Sequence, residues 1–341
     1  MTVYILLALV LFAFSFTKRK WPLLISFILL FVVACFRDIS VGTDTKNYES
    51  LFYSNGTETD QMYHAKEPLY LLLHFIVAYN GWDYSTLMFL SSAIVVILLF
   101  VFTIKESPNP NYSILCFFLL YYYFYSFNTV RQYQAMVFVL LAWHYQMRKN
   151  YKLYYIFIVL GTFFHYTALI GFLSMLIERV KLSANNQIAF LLLSYFLGIT
   201  PIVKSILSVF FVFLPESFYA YISSSDDREL TMSISRLMLT LYIATLINLL
   251  RKNMWLKLLA FGVFALNLFA FQPVVGRITQ YFTIVQIVII PQIPFLIKKR
   301  KYTKILSTAS VLYMFVVWLY LLLSNTAEVV PYKFGGVKLF Y

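Results

Sequence analysis

The chain has 341 residues, of which 61% are hydrophobic, 20% aromatic and 12% charged, with a mean hydropathy of +0.77; soluble domains hold only about 45–50% apolar residues. This is the composition of an integral membrane protein. The 27 Lys and Arg against 14 Asp and Glu, a net +13, read as cytoplasmic loop charge rather than as a nucleic-acid surface. Cys35 and Cys116 both lie inside apolar runs without a CxxC or a Cys/His cluster, which excludes a disulfide scaffold and a zinc site.

Apolar runs of about 17–25 residues can cross a hydrocarbon core about 30 Å thick. In chain order, crossings are expected at 2–16, 21–36, 84–104, 112–127, 130–147, 233–250, 256–272, 279–297 and 305–324. The first run has no preceding basic residue and no small-residue cleavage site, so it is read as a retained span. The short basic loops, Lys18-Arg19-Lys20, Arg148-Lys149, Arg251-Lys252 and Lys298-Lys299-Arg300-Lys301, are placed in the cytoplasm. The N-terminus and loops 37–67 and 215–232 then face outward, and those two loops hold ten of the 14 acidic residues.

Parity singles out two further segments. The run 68–79 is about 18 Å long as a helix, too short to cross; Glu67-Pro68 reads as an N-cap followed by Pro at the first helical position, predicting a helix on the outer face. Of 153–177 and 187–214 only one can be a net crossing. Arg179 and Lys181 favour a cytoplasmic 178–186, which makes 153–177 re-entrant with Gly161 and His165 near its tip. The fold class expected is therefore an all-α polytopic membrane protein. It has about ten transmembrane helices plus two partial or re-entrant helices in one integral domain, 1–341, with an external loop and amphipathic helix at about 37–83 and a second external loop at 215–232. The run 121-YYYFYSF-127 reads as an interfacial aromatic belt, or alternatively as a sugar-stacking surface.

Several polar residues stand out against this background. Arg131 lies about 25 Å along one helix from Arg148, which puts it at the outer edge, either snorkelling or facing an anion in an external cavity beside Gln132. Arg277, in 272-QPVVGRITQY-281, is expected in an external turn where Gly276 lets backbone approach a ligand. Arg37 ends the second span, and each of these three arginines can alternatively serve a structural pairing with Asp38, Asp44 or Glu67. In 36-FRDISVGTDTKNY-48, Gly42 permits a tight turn and Asp44 can cap it. Asp38 can pair with its neighbour. Asp44 and Glu67 are also the external candidates for a general base, and His165 competes for that role. His64, His74 and His144 carry no such context, and Asn55-Gly56-Thr57 matches a glycosylation sequon. No GxxxxGK[ST], GxGxxG or HExxH occurs, so an ATP-driven pump or zinc protease has no local support.

The landmarks 37-RDISVGTDTKNY-48, 67-EPLY-70, 131-RQYQA-135 and 164-FHYTA-168, in this order and spacing, resemble the EpsG family of bacterial exopolysaccharide proteins, the Wzy-like polysaccharide polymerases. The resemblance implies a glycosyltransferase-C-like fold on the outer face of the bacterial cytoplasmic membrane. It implies a reaction that moves the growing glycan from undecaprenyl diphosphate to the non-reducing end of the next lipid-linked unit. On that basis Arg37, Arg131 and Arg277 would hold the diphosphate, Asp44, Glu67 or His165 would serve the acceptor hydroxyl, and Asp38, Tyr48 and Gln132 would contact substrate. No cofactor and no metal is expected. The partners implied are undecaprenyl-diphosphate-linked oligosaccharides, the bilayer, a flippase and a chain-length regulator, with no nucleic acid. The rival readings are a flippase for the lipid-linked oligosaccharide, an O-acetyltransferase or ligase acting on the glycan, and a non-catalytic export scaffold.

Overall fold

The computed structural model describes residues 1–54, 67–211, 229–250, 253–271, 273–297 and 300–335. Among them the protein is all-helical, its only extended pairing being a bridge between Arg37 and Phe334. In chain order the helices are α1 (Thr2–Ser15), α2 (Lys20–Cys35), α3 (Thr45–Tyr53), α4 (Pro68–Tyr79), α5 (Tyr84–Glu106), α6 (Pro110–Leu119), α7 (Tyr122–Tyr125), α8 (Val130–Met147) and α9 (Tyr151–Phe164). After a 3₁₀ segment, Tyr166–Phe172, come α10 (Leu173–Arg179), α11 (Ala184–Gly198), α12 (Ile202–Phe211), α13 (Glu229–Leu249), α14 (Met254–Leu268), α15 (Pro273–Thr283), α16 (Gln286–Leu296) and α17 (Arg300–Leu323). Asp83, Asn109, Asn150, Ser183 and Asn253 each cap a helix by accepting from a backbone N–H in its first turn, which satisfies donors that helix starts leave open.

Three stretches, Tyr84–Glu106, Val275–Leu296 and Arg300–Leu323, are long and apolar enough to cross a bilayer. Shorter apolar helices, among them α1, α2, α6, α9 and α14, accompany them, and together they make this a membrane protein. Two expected spans are not continuous. The run 112–127 breaks after α6, where Tyr121 takes a left-handed conformation with φ 70°, and 279–297 belongs to a helix that already starts at Pro273 and is interrupted between α15 and α16. The aromatic belt expected at 121–127 is instead interior. Tyr121, Tyr123, Phe124 and Phe127 are buried, with the Tyr123 hydroxyl donating to Leu30 O (2.8 Å) and that of Tyr121 to Leu321 O (3.1 Å), so their hydroxyls are satisfied by protein rather than by a water interface. The sequon, His64 and nearly all of the 215–232 loop lie outside the described residues.

The chain gathers into two compact units, one of Met1–Gly171 with Ile290–Tyr341 and one of Phe172–Ile289. In the first, α8 is the central helix. Its Gln132, Gln134, His144 and Gln146 are buried and it packs on α5 and α9, so protein rather than lipid receives its polar side chains. α9 approaches α8 closely at Gly161, where a Cβ would lie 3.1 Å from Ala135 O. The chain then doubles back at His165. Gly171 O returns to accept from Trp143 Nε1 (3.0 Å) and from the Tyr154 hydroxyl (3.2 Å). In the second unit α11, α13 and α14 meet at a buried polar knot, Asn267 donating to Thr240 Oγ1 (2.9 Å) and Ser194 Oγ (3.3 Å), the interhelical bonding that holds helices together in lipid.

Residues 325–335 strap the loop that follows α2. Asp38 N donates to Lys333 O (3.0 Å), Gly335 N to Phe36 O (2.8 Å) and Gly42 N to Glu328 O (3.0 Å), while Phe334 stacks on Phe36. Gly42 has φ +114°, and a Cβ there would lie 2.7 Å from both Asn128 Oδ1 and Thr45 Oγ1. Both the backbone angle and the space demand glycine. Gly42→Ala is expected to destabilise by about 1–3 kcal/mol, read as a lower Tm of the detergent-purified protein; an unchanged Tm would show that the turn tolerates a side chain.

Candidate active site

Glu67 occupies the N-cap position of α4, ahead of Pro68, but its side chain makes no cap hydrogen bond. The residue before a proline is held out of the helical region, and Glu67 has φ −134° and ψ 68°. Its carboxylate is directed into tertiary contacts instead. Oε2 accepts from Arg131 Nη1 at 2.7 Å, and Oε1 pairs with His165 Nδ1. Three segments far apart in sequence thus converge on one carboxylate.

Local structure sets each partner. Arg131 is the second residue of α8. His165 is the extended residue (φ −161°, ψ 124°) that ends α9, its N–H bonded to Gly161 O. The close approach of Gly161 to Ala135, one turn inside each helix, puts the fold-back tip level with the start of α8. Glu67 is sealed, with 4% of its side chain exposed, while Arg131 and His165 keep 18% and 20%. The carboxylate is therefore the buried hinge of the cluster, and the guanidinium and imidazole are its outward faces.

Two tyrosines flank the guanidinium, with the rings of Tyr48 and Tyr70 each 5.6 Å from its carbon, within range for cation–π attraction. Desolvation holds the Tyr48 phenol above its ordinary pKa, and the adjacent Arg131 pulls against that shift. Asp44 and Glu67 both act on the same phenol electrostatically, so Asp44, at the start of α3, belongs to the neighbourhood. An ionised carboxylate can only accept, so His165 Nδ1 is the donor in their shared bond.

The other expected residues are set by different contacts. Arg37 is 1% exposed. Its Nη1 donates to Ala34 O (2.5 Å) and Ser92 Oγ (2.7 Å), its Nη2 to Phe127 O (3.5 Å), and it stands 4.5 Å over the Phe127 ring. Asp38 closes an Asx turn, accepting from the Ser40 N–H (2.9 Å) and hydroxyl (2.7 Å), bonds that hold its carboxyl below the usual carboxylate range. Gln132 is buried on α8. Arg277 belongs to the second unit and sits within α15, not in a turn, because Pro273 starts a helix there. Gly276 has open space around it.

Sequence reasoning passed over Tyr70 and a second cluster at the far end of α8. There Glu106 Oε1 lies 2.5 Å from both His144 Nδ1 and Arg148 Nη1, tying the ends of α5 and α8. The i, i+4 spacing of His144 and Arg148 beside a span-terminal acid was the available signal.

Fold and site define an all-helical membrane protein with a buried Glu/Arg/His cluster. The chain belongs to the EpsG family, which matches residues 20–334 and is associated with glycosyltransferase-like polysaccharide polymerases. No curated protein and no solved structure matches it.

The cluster predicts strong coupling. In a double-mutant cycle on Glu67→Gln and Arg131→Gln, denaturation in detergent is expected to show an interaction energy of about 1–3 kcal/mol. Additive losses would mean that the pair does not act as a unit.

Proposed function

We propose that this protein polymerises lipid-linked oligosaccharide repeat units on the outer face of the bacterial cytoplasmic membrane. It transfers the growing glycan from undecaprenyl diphosphate to the non-reducing end of the next unit, to build an exopolysaccharide or capsule. The observation that carries this reading is the Glu67 carboxylate held between Arg131 and His165. It pairs a cation suited to phosphate with an oriented imidazole, one group for each of two tasks in a glycosyl transfer from a diphosphate, stabilising the leaving group and taking the acceptor's proton.

Glu67, with both oxygens engaged, orients the imidazole rather than reaching a substrate itself. His165 Nε2 takes the proton of the acceptor hydroxyl as that oxygen bonds to the anomeric carbon. The bond from that carbon to the phosphate oxygen breaks, and its electron pair leaves with the lipid diphosphate. Arg131 faces the charge that develops on this leaving group with guanidinium N–H groups that neither Glu67 nor Tyr48 uses. Tyr48, Asp44 and Gln132 position sugar hydroxyls. Arg37 and Asp38, with their polar groups bonded internally, shape the loop that carries Tyr48, and Arg277 is assigned to the diphosphate on sequence grounds alone. The position of the cluster at the ends of α4, α8 and α9, rather than midway along them, favours an enzyme over a flippase with a midplane site.

The test is mass analysis of lipid-linked glycans in a strain lacking the protein, complemented with variants. Wild type is expected to restore long chains. His165→Asn should lower chain growth by about 10²–10⁴-fold, with single repeat units accumulating outside. Arg131→Lys should be nearly as poor as Arg131→Ala, since an ammonium lacks the planar fork. Repeat units retained on the cytoplasmic side would support the flippase, and normal polymer from His165→Asn would remove His165 from the chemistry.

A further inference from the structure

The second unit carries an apolar trough of about 250 Å³ between α10, α11 and α14, lined by Ile177, Val180, Phe190, Lys257, Phe261 and Phe264 among others. Its walls are almost wholly hydrocarbon, and Val180 and Phe190 are exposed. One cation stands among them. Lys257 Nζ donates to Val180 O at 3.1 Å, which uses one of its three protons and leaves two for an anion. Arg179 and Lys181, both exposed, flank Val180 at the same place.

A narrow apolar trough with cations gathered at one point has the shape and charge of an acyl chain beneath a phosphate. We infer that this trough holds an acyl chain of an anionic phospholipid, with the headgroup phosphate on Lys257, Arg179 and Lys181. The inference does not depend on the polymerase reading. The charge pattern also separates this lipid from the proposed substrate. Arg179, Lys181 and Lys257 belong to the basic stretches that the positive-inside rule assigns to the cytoplasm, where anionic lipids attract clustered lysines and arginines, whereas the glycan donor is used at the outer face.

The experiment uses full-length protein reconstituted in phosphatidylcholine vesicles with a small share of phosphatidylglycerol carrying a photoactivatable acyl chain. Crosslinks are expected in peptides covering residues 177–191 and 257–264. Lys257→Gln should lower labelling by phosphatidylglycerol about fivefold, the worth of one basic residue near an anionic surface, and leave labelling by the matching phosphatidylcholine probe unchanged. Ala260→Trp, which fills the trough, should remove labelling by both. Equal labelling by the two probes with no effect of Lys257→Gln would overturn the proposal. So would displacement of the probe by equimolar undecaprenyl phosphate, which would make the trough a seat for the carrier's tail.

Discussion

The arrangement of the first unit around α4, α8 and α9 turns on one carboxylate that has been taken out of solvent. Burying a charge costs several kcal/mol unless it is paired and hydrogen-bonded, and Glu67, 3% exposed, meets that condition only when Arg131 and His165 are both in place. The short helix α4, the start of α8 and the fold-back after α9 are therefore fastened by a single group. Each contributes through a local device: Pro68 keeps Glu67 out of the helical region, Arg131 sits in the first turn of α8, and His165 breaks α9 at the point where the chain reverses. Losing one member does more than delete a contact. Losing Arg131 leaves the sealed Glu67 carboxylate without its cation, and losing Glu67 frees both partners at once, so the cluster specifies geometry as well as stability.

The helix that carries this cluster is itself unusual for a membrane protein. α8 holds Gln132, Gln134, His144 and Gln146 in its buried face and has a second acid, histidine and arginine group at its other end. In lipid such a helix would be costly. Packed between α5 and α9 it is a polar spine inside an apolar bundle, and the rigid framework around it is what a preorganised site needs. The same arrangement explains why more apolar helices, such as α17 with Leu312, Val316 and Tyr320 exposed, lie at the periphery, where hydrocarbon can cover them.

Much of this was legible in the sequence, and the omissions have physical causes. Arg131, Glu67 and His165 stood out one at a time, because a charge beside an apolar run is anomalous whatever surrounds it. An arginine paired with Glu67 was an available alternative, but that His165 joins the same carboxylate was not readable, since contacts across such sequence separations leave no periodic trace. Hydropathy reports exclusion from water but does not distinguish protein from lipid, so Tyr121, Tyr123 and Phe124, all interior and the two tyrosines hydrogen-bonded, looked like an interfacial belt. The same insensitivity hid the break at Tyr121, a change of backbone angle within an unbroken apolar run. Arg277 falls between the apolar runs 256–272 and 279–297, which suggested a turn, yet Pro273 is at home in the first turn of a helix that begins ahead of the second run.

Arg37 shows how similar residues can divide the work. Sequence alone puts Arg37 and Arg131 at outer helix ends, and a shared role on one anion is the economical reading. The structure gives them opposite surroundings. Arg131 has a carboxylate partner and an exposed edge, whereas Arg37 is sealed, held by two carbonyls, a serine hydroxyl and an aromatic face, with no carboxylate among its described contacts. A cation accepted in such a place is tolerated only because those dipoles converge on it, and they come from α2, α5 and the turn before α8. It thereby pins the three segments beneath the loop that leads to α3 and Tyr48. The strap of residues 325–335 fixes that loop from its other side through Asp38, Gly42 and Phe36. Tyr48 is thus presented to Arg131 by a loop clasped on two sides, one by a buried cation and one by the chain's last described segment, so the precision of the outward face depends on residues that need never touch a substrate.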